Sequence, residues 1–66
     1  MNILLNGENT QVDEHTTLAD MIRALNLEDS RYAVEVNEEL VPRSEHQDYH
    51  FKEGDNVEIV QAIGGG

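Results

Sequence analysis

The 66-residue chain has no cysteine, no tryptophan and one proline, and only four of its residues are Lys or Arg. Without cysteine it can form neither disulfides nor a thiolate metal site. No apolar run approaches the roughly 18 residues of a membrane-spanning helix. A chain of this length buries only about 60% of the surface that its unfolded form exposes, so its apolar core is small. Such a core leaves little room for a deep catalytic cleft, which favours a protein that enzymes act on over an enzyme.

The shortage of basic residues limits the classes of partner. Fourteen Asp and Glu residues against four Lys and Arg residues give a formal net charge of −10. Nucleic-acid binding needs a basic surface, and anionic membranes repel an acidic one, so we expect neither partner. Basic protein surfaces would attract the chain, at a rate that falls as the salt concentration rises. Acidity also serves solubility, so the charge alone does not identify a function.

The N-terminal sequence lacks the features of an export signal. Met1 leads directly into an apolar run, without a preceding basic segment or a following small-residue cleavage site. The absence of cysteine fits a reducing compartment. We therefore predict a cytoplasmic protein.

The first residues predict a β-hairpin. Residues 1–6 alternate between apolar and polar faces, and the dipeptide Asn6-Gly7 tolerates the positive φ angles of a tight turn. Residues 10–13 would then pair back on the first strand.

A helix follows the hairpin. Thr16 or Thr17 can cap its start, and Asp20 lies where a first-turn carboxylate favours the helix dipole. Asn26 is a suitable end, which gives a helix of about ten residues with Leu27 packed beneath its end. The buried stripe consists of apolar residues at helical spacing: Leu18, Met21, Ile22 and Leu25.

The second half of the chain returns to strand patterns. Residues 33–37 alternate, and residues 40–42 form a short extended piece that the proline confines to a sheet edge. Residues 44–52 are polar and irregular, with room for one short helical turn. A turn at residues 53–56 leads into the last strand, residues 57–63.

This order of elements, β-β-α-β-β(short)-β, predicts an α+β fold. One helix packs across one face of a mixed sheet of four to five strands. Residues 1–63 form a single domain, and residues 64–66 form a flexible glycine tail.

Three successive glycines, Gly64, Gly65 and Gly66, end the chain. Glycine makes up about 7% of average sequence, so a run of three at a terminus is rare by chance. Three extended residues reach about 10 Å, and without Cβ atoms they fit a narrow channel. The tail could therefore present the carboxylate of Gly66 deep inside another protein. A frayed end is the alternative interpretation.

The terminal carboxylate has a defined chemistry. ATP can convert a carboxylate into an acyl-adenylate, whose carbonyl carbon a sulfur nucleophile can attack. The chain has no P-loop and no nucleotide-binding glycine pattern, so we expect no bound cofactor and activation by a partner that uses ATP. Without a thiol the chain cannot hold a persulfide, which leaves the C-terminal carboxylate as its attachment point for sulfur.

The whole chain resembles a known family. Its order of elements and the runs MNILLNGE, VNEELVPR and EGDNVEIVQAIGGG are similar to the ThiS-type sulfur carriers of thiamin biosynthesis, which are ubiquitin-like proteins with a β-grasp fold. The resemblance implies that a ThiF-type adenylyltransferase adenylates Gly66. It also implies a sulfur donor protein, a thiocarboxylate on Gly66, and a ThiG-type thiazole synthase that receives the sulfur. Gly-Gly is the minimal family ending, so the role of the third glycine, Gly64, stays open.

The exposed face of the sheet is a candidate docking surface for partners. Strand alternation places Leu4, Val60 and Ala62 on the face opposite the helix. Scattered exposed apolar residues are ordinary, but a cluster beside a functional tail favours docking. Glu35 and Glu58, around that cluster, would orient a basic partner.

Other polar residues give weaker signals. His46 and His50 are four residues apart, but a metal site needs a third ligand and none is visible, so we predict no metal site. Asp29-Ser30 resembles the phosphopantetheine site of acyl carrier proteins, but those carriers are all-helical and strand patterns surround it here. Arg43 could form a local salt bridge or contact a partner.

Two other functions remain open at this stage. A sulfur carrier of another pathway, such as the small subunit of molybdopterin synthase, would use the same tail chemistry. A non-covalent interaction module, like the TGS domains of larger proteins, would need no free glycine terminus. An independent enzyme fits the residues least, because they supply no set of nucleophile, base and orienting group.

Overall fold

The computed structural model describes residues 1–62, and in that range the chain forms five strands, one α-helix and one short 3₁₀ helix. The strands are β1 (Asn2–Leu5), β2 (Glu8–Gln11), β3 (Tyr32–Val36), β4 (Glu39–Leu40) and β5 (Asn56–Gln61). The α-helix α1 covers Leu18–Ala24, and the 3₁₀ helix covers Arg43–Glu45. The order of elements is the predicted one, although the bounds of each strand differ by at least one residue. None of the helices in this range is long and apolar enough to cross a membrane.

The strands form one mixed sheet in the order β2-β1-β5-β3-β4. β1 and β5 are parallel, whereas the pairs β1–β2, β3–β5 and β3–β4 are antiparallel. The prediction of a mixed sheet is therefore confirmed, with five strands. The two-residue strand β4 lies at the sheet edge, as expected for a strand that a proline follows. Ile63, which the sequence placed in the last strand, lies outside the described residues.

The helix begins where the sequence predicted. The Thr17 hydroxyl accepts a hydrogen bond from the backbone N–H of Asp20 at 3.1 Å, and the Asp20 carboxylate accepts one from the backbone N–H of Thr17 at 3.0 Å. This capping box satisfies two donors that would otherwise be free at the helix start. The bond from the Thr17 backbone is also the main reason that the pKa of Asp20 lies below its ordinary value.

The helix ends earlier than predicted, after seven residues instead of about ten. Asn26 adopts a φ of 60°, in the left-handed region, and so terminates it as expected. Leu25 was predicted to be buried but is 42% exposed, because it lies beyond the last helical turn as the C-cap. Leu27 packs against the core instead, and its backbone N–H donates to the carbonyl of Ile22 at 3.0 Å.

The core lies between the helix and one face of the sheet. Its buried apolar side chains are Ile3, Leu18, Met21, Ile22, Val34, Val36, Phe51 and Val57. Burial of a side chain of this size stabilises a fold by roughly 1.5–3 kcal/mol. Phe51 comes from the irregular segment before β5, which also bonds to the helix start: the backbone N–H groups of Leu18 and Ala19 donate to the carbonyls of Tyr49 and His46. This segment closes one end of the core.

Candidate functional site

The predicted tail follows the central strand of the sheet. β5, the last described strand, lies between β1 and β3 and pairs with both. The side chain of Val57 is fully buried, and Ile59 packs against the core. The start of β5 is therefore held along both edges, whereas Val60 and Gln61, which lead toward residues 63–66, pair with β3 alone.

Two asparagine side chains add hydrogen bonds to β5. The backbone N–H of Ile59 donates to Oδ1 of Asn6 at 2.9 Å, and that of Asn56 donates to Oδ1 of Asn37 at 3.0 Å. Asn6 and Asn37 have φ angles of 50° and 53° in the turns after β1 and β3. Asparagine is one of the few residues other than glycine that adopt this region readily. The turns after β1 and β3 thus each accept a hydrogen bond from the backbone of the central strand.

The EGD turn before β5 is built around a buried carboxylate. Asp55 is 4% exposed and accepts hydrogen bonds from the Tyr49 hydroxyl at 2.9 Å, the Lys52 backbone N–H at 2.9 Å and Nδ2 of Asn37 at 3.0 Å. Gly54 has a φ of 83°, a conformation that glycine adopts without a steric penalty. The turn that contributed to the family resemblance therefore has a structural role, since it fixes the start of β5.

The same network raises the pKa of Tyr49 to about 12. Burial is the largest cause, because it disfavours the charged phenolate, and the hydrogen bond to Asp55 and the charge of Asp55 act in the same direction. Tyr49 is therefore a protonated donor throughout the neutral range.

The chain leaves the sheet beside β3. Gln61 pairs with Tyr32, and the backbone N–H of Ala62 donates to the carbonyl of Arg31 at 2.9 Å. Ala62 is the last described residue. The predicted carrier group on Gly66 and the other two tail glycines lie outside the described residues.

The predicted docking residues lie on the sheet face opposite the helix. Leu4 is 37% exposed and Val60 is 63% exposed, and Ala62 is exposed as well. Val60 pairs with Ala33 across β5 and β3. Leu4 instead pairs with Asn56, which is four residues, or about 13 Å, from Val60 along the strand. The structure brings Val60 close to Ala62 and leaves Leu4 apart from both.

Two carboxylates lie between the apolar positions of this face. Glu35 and Glu58 are direct partners across β3 and β5, and both are exposed. Like charges in this arrangement destabilise the pairing of two strands. Neither carboxylate forms an ion pair within residues 1–62. Leu40, which is 66% exposed, pairs with Glu35 on its other side, so the face presents an acidic pair flanked by apolar side chains.

Sequence reasoning missed two members of this face. Ala33 lies two residues before Glu35 on the same strand, so the alternation that turns Glu35 outward could have placed it. Leu40 was assigned to the short strand, but neither face of the sheet could be assigned to its side chain, because so short a strand has no alternation to interpret. Its pairing with Glu35 became visible only in the folded sheet.

His46 has a structural role. It is 4% exposed, and its ring lies between the Tyr32 hydroxyl, 3.3 Å from Nδ1, and the Val41 carbonyl, 3.0 Å from Nε2. Since a carbonyl can only accept, the Nε2–H group of His46 donates to Val41. His50 is exposed and forms an isolated bridge with Thr17. No group of three potential metal ligands occurs in the described part of the chain.

Arg43 does not form the local salt bridge that the sequence allowed. Its guanidinium lies 4.4 Å from the centre of the Tyr32 ring and donates to the carbonyl of Ser30 at 3.1 Å. No carboxylate within residues 1–62 pairs with it.

Ser30, the residue that resembled a phosphopantetheine site, has a local contact instead. Its hydroxyl donates to the carbonyl of Leu27 at 2.8 Å. The five-stranded sheet also excludes the all-helical fold of acyl carrier proteins.

Comparisons with known proteins agree with this geometry. The ThiS family model matches residues 3–66. The sulfur carrier protein ThiS of Escherichia coli is 27% identical over 66 residues, which cover all of both chains. The crystal structure of the thiamine biosynthesis protein ThiS from Geobacter metallireducens is 32% identical, covers all of both chains and superposes with a TM-score of 0.80. The predicted ubiquitin-like β-grasp fold is therefore confirmed.

One relative is much longer than this chain. The thiazole synthase of Paramagnetospirillum magneticum is 35% identical over 66 residues, which are 100% of this chain but 20% of that protein. The chain thus spans about a fifth of the length of the thiazole synthases that it matches.

Proposed function

The chain belongs to the ThiS family of sulfur carriers, and on this basis we propose that the carboxylate of Gly66 carries sulfur for thiazole formation in thiamin biosynthesis. The observation that carries the proposal is the family match over residues 3–66, which includes the glycine tail. In this role the protein is not an enzyme. Partner enzymes modify it and then use the sulfur that it holds.

Activation takes place on a ThiF-type adenylyltransferase. A carboxylate oxygen of Gly66 attacks the α-phosphorus of ATP, pyrophosphate leaves, and an acyl-adenylate forms at the C-terminus. Hydrosulfide supplied by a sulfur donor protein then attacks the carbonyl carbon, AMP leaves, and a thiocarboxylate remains. ATP is a substrate of the partner, so this chain needs no cofactor of its own. We propose the cytoplasm as the location of these steps, since they use ATP and reduced sulfur.

The firm attachment of β5 supports a carrier role. A partner that binds the sheet also fixes the point from which the tail extends, because β5 pairs with β3 as far as Gln61 and the Ala62 N–H donates to the carbonyl of Arg31. The four residues after Ala62 reach at most roughly 14 Å when extended. The partner's docking surface must therefore lie within that distance of its active site.

The open face of the sheet is the proposed docking surface. Val60 and Ala62 lie at the end of β5 that leads into residues 63–66, so a partner that covers them also contacts the point from which the tail extends. Leu4 would form a separate contact farther along the face. The acidic pair Glu35 and Glu58 lies between these positions and suits basic side chains of the partner, which would relieve the repulsion across the two strands.

Thiazole synthase is the proposed acceptor of the sulfur. The relatives named thiazole synthase contain a segment similar to the whole of this chain. A carrier segment inside the same chain as its acceptor meets that acceptor at a high effective concentration. This arrangement supports thiazole synthase as the protein with which the carrier works.

Amidation of the C-terminus tests the proposed function. The terminal carboxamide removes the nucleophilic oxygen of Gly66 and leaves residues 1–62 unchanged. We expect ATP–pyrophosphate exchange by the adenylyltransferase to occur with the natural chain and to disappear with the amidated chain. Circular dichroism spectra should be identical for the two. Exchange that persists with the amidated chain would exclude the terminal carboxylate as the activated group.

A further inference from the structure

The backbone of Arg31 and the side chain of Arg43 lie close together where the chain leaves the sheet. The carbonyl of Arg31 accepts the hydrogen bond from Ala62 at 2.9 Å, and Arg43 donates to the carbonyl of Ser30, the residue before Arg31, at 3.1 Å. The Arg43 guanidinium also lies 4.4 Å from the centre of the Tyr32 ring, and Tyr32 pairs with the last residue of β5. Both arginines are exposed and adjoin the base of the tail.

Neither arginine forms an ion pair within residues 1–62. Carboxylates are abundant, since the chain has fourteen of them and only four Lys and Arg residues. Arg23, which lines the same cleft as Arg43, lies 3.2 Å from Asp20 and 3.9 Å from Glu28. Arg31 and Arg43 therefore have no ion-pair partner in the described part of a strongly acidic chain.

Arg43 is held in position and keeps free donors. It stacks on Tyr32, whose hydroxyl is in turn 3.3 Å from the buried ring of His46. A guanidinium has five N–H donors, and the bond to Ser30 uses one of them. A pre-positioned guanidinium loses little side-chain freedom when it binds an external acceptor. Its planar shape fits a carboxylate through two parallel hydrogen bonds.

We propose that Arg31 and Arg43 form a second docking point, which binds carboxylates of the adenylyltransferase beside the opening that receives the tail. The inference rests on the proposed function. It assigns an acidic partner surface to this end of the molecule, in contrast to the basic surface that suits Glu35 and Glu58. Two adjacent contacts of opposite charge fix the orientation of a bound chain more strictly than either contact alone. With only four residues beyond Ala62, the position of the terminal carboxylate depends on that orientation.

Matched charge reversals test the second docking point. Arg31→Glu and Arg43→Glu are compared with Lys52→Glu, which changes the net charge by the same amount. Lys52 precedes β5, at the end of that strand opposite Ala62, and it forms no ion pair in the described range. The association rate with the adenylyltransferase and the kcat/KM of ATP–pyrophosphate exchange are measured at low salt, and circular dichroism confirms that each variant is folded.

The inference predicts that each arginine reversal lowers the association rate and kcat/KM about tenfold, whereas Lys52→Glu changes them less than about twofold. Arg43→Lys should retain more activity than Arg43→Glu, because it keeps the charge. If the partner surface is uniformly basic, all three reversals raise the association rate, which overturns the inference and leaves the proposed function standing. Equal effects at Arg31, Arg43 and Lys52 overturn it in the same way. If the adenylyltransferase does not activate the natural chain, both the proposed function and this inference are overturned.

Discussion

At the scale of single residues, a buried carboxylate fixes the start of the strand that leads to the tail. Asp55 receives three hydrogen bonds from three separate positions in the sequence, Asn37, Tyr49 and Lys52. Sequence spacing indicated a turn there and gave no sign of the buried carboxylate, because its partners meet only after folding. The Thr17–Asp20 cap could be predicted, since both of its hydrogen bonds lie within four residues.

Replacement of Asp55 tests the importance of this network. Asp55→Ala leaves three donors without their acceptor, and a buried donor that loses its partner costs about 1–3 kcal/mol. We expect the free energy of unfolding, measured in urea at neutral pH, to fall by about 3 kcal/mol. Asp48→Ala is the control, since Asp48 is exposed and should change stability by less than about 0.5 kcal/mol. Equal stability of the two variants would contradict a structural role for Asp55.

The raised pKa of Tyr49 predicts that the protein loses stability in strong base. Its pKa in the folded state, about 12, lies above the ordinary value of 10.0, so folding favours the protonated phenol. The corresponding stabilisation is complete below the ordinary pKa and is lost as the pH rises from 10.0 through about 12. Tyr49→Phe should remove this part of the pH dependence of unfolding. Phenolate absorbance of the folded protein, measured against pH, should show a transition near pH 12 that is missing in Tyr49→Phe. The same transition in both proteins would contradict the raised pKa of Tyr49.

At the scale of elements, the sequence pattern predicted the order of the strands and the helix, but not the exact bounds of the strands. Asn26 ends the helix as predicted, but the regular helix stops at Ala24, and Leu25 is exposed as the C-cap. The faces of the longer strands followed from alternation, whereas the face of Leu40 depended on its pairing. The irregular segment before β5 offered no periodic signal, and yet it supplies Phe51 to the core.

The helix cap gives a prediction at this scale. Thr17→Ala removes the acceptor for the Asp20 backbone N–H and should lower the free energy of unfolding by about 1 kcal/mol. Thr16→Ala is a matched control, because Thr16 lies outside the capping box, and its effect should stay below about 0.5 kcal/mol. Denaturant unfolding measures both variants. A larger loss for Thr16→Ala than for Thr17→Ala would show that the cap is not the stabilising contact.

The open sheet face gives a second prediction for an element. Val60→Asp places a charge among exposed apolar side chains and should weaken binding to the adenylyltransferase at least about tenfold, with little change in stability because Val60 is 63% exposed. Leu25→Asp is the control, since Leu25 is also exposed and apolar but lies at the end of the helix. Calorimetric titration measures both affinities. Unchanged binding by Val60→Asp would remove this face from the docking surface.

At the scale of the whole molecule, the fold was predictable because local and global signals agree. The hairpin, cap, strand pattern and turn residues all indicate one helix on one mixed sheet, and the family resemblance indicates the same β-grasp fold. The distribution of charge was predictable only in part. Alternation placed Glu35 and Glu58 on the open face, but their direct pairing became visible only in the folded sheet. The position of Arg43 beside Ser30 and Tyr32, without an ion pair in residues 1–62, also depends on contacts between distant parts of the sequence.

The central claim is that Gly66 carries sulfur as a thiocarboxylate. Its most direct test is the intact mass of the full chain after incubation with ATP, a sulfide source and the ThiF-type adenylyltransferase. We predict a gain in mass that matches the replacement of one oxygen by sulfur, located at Gly66 by fragmentation and absent when ATP is omitted. An unchanged mass, with an adenylyltransferase that activates the Escherichia coli carrier in the same assay, would contradict the account.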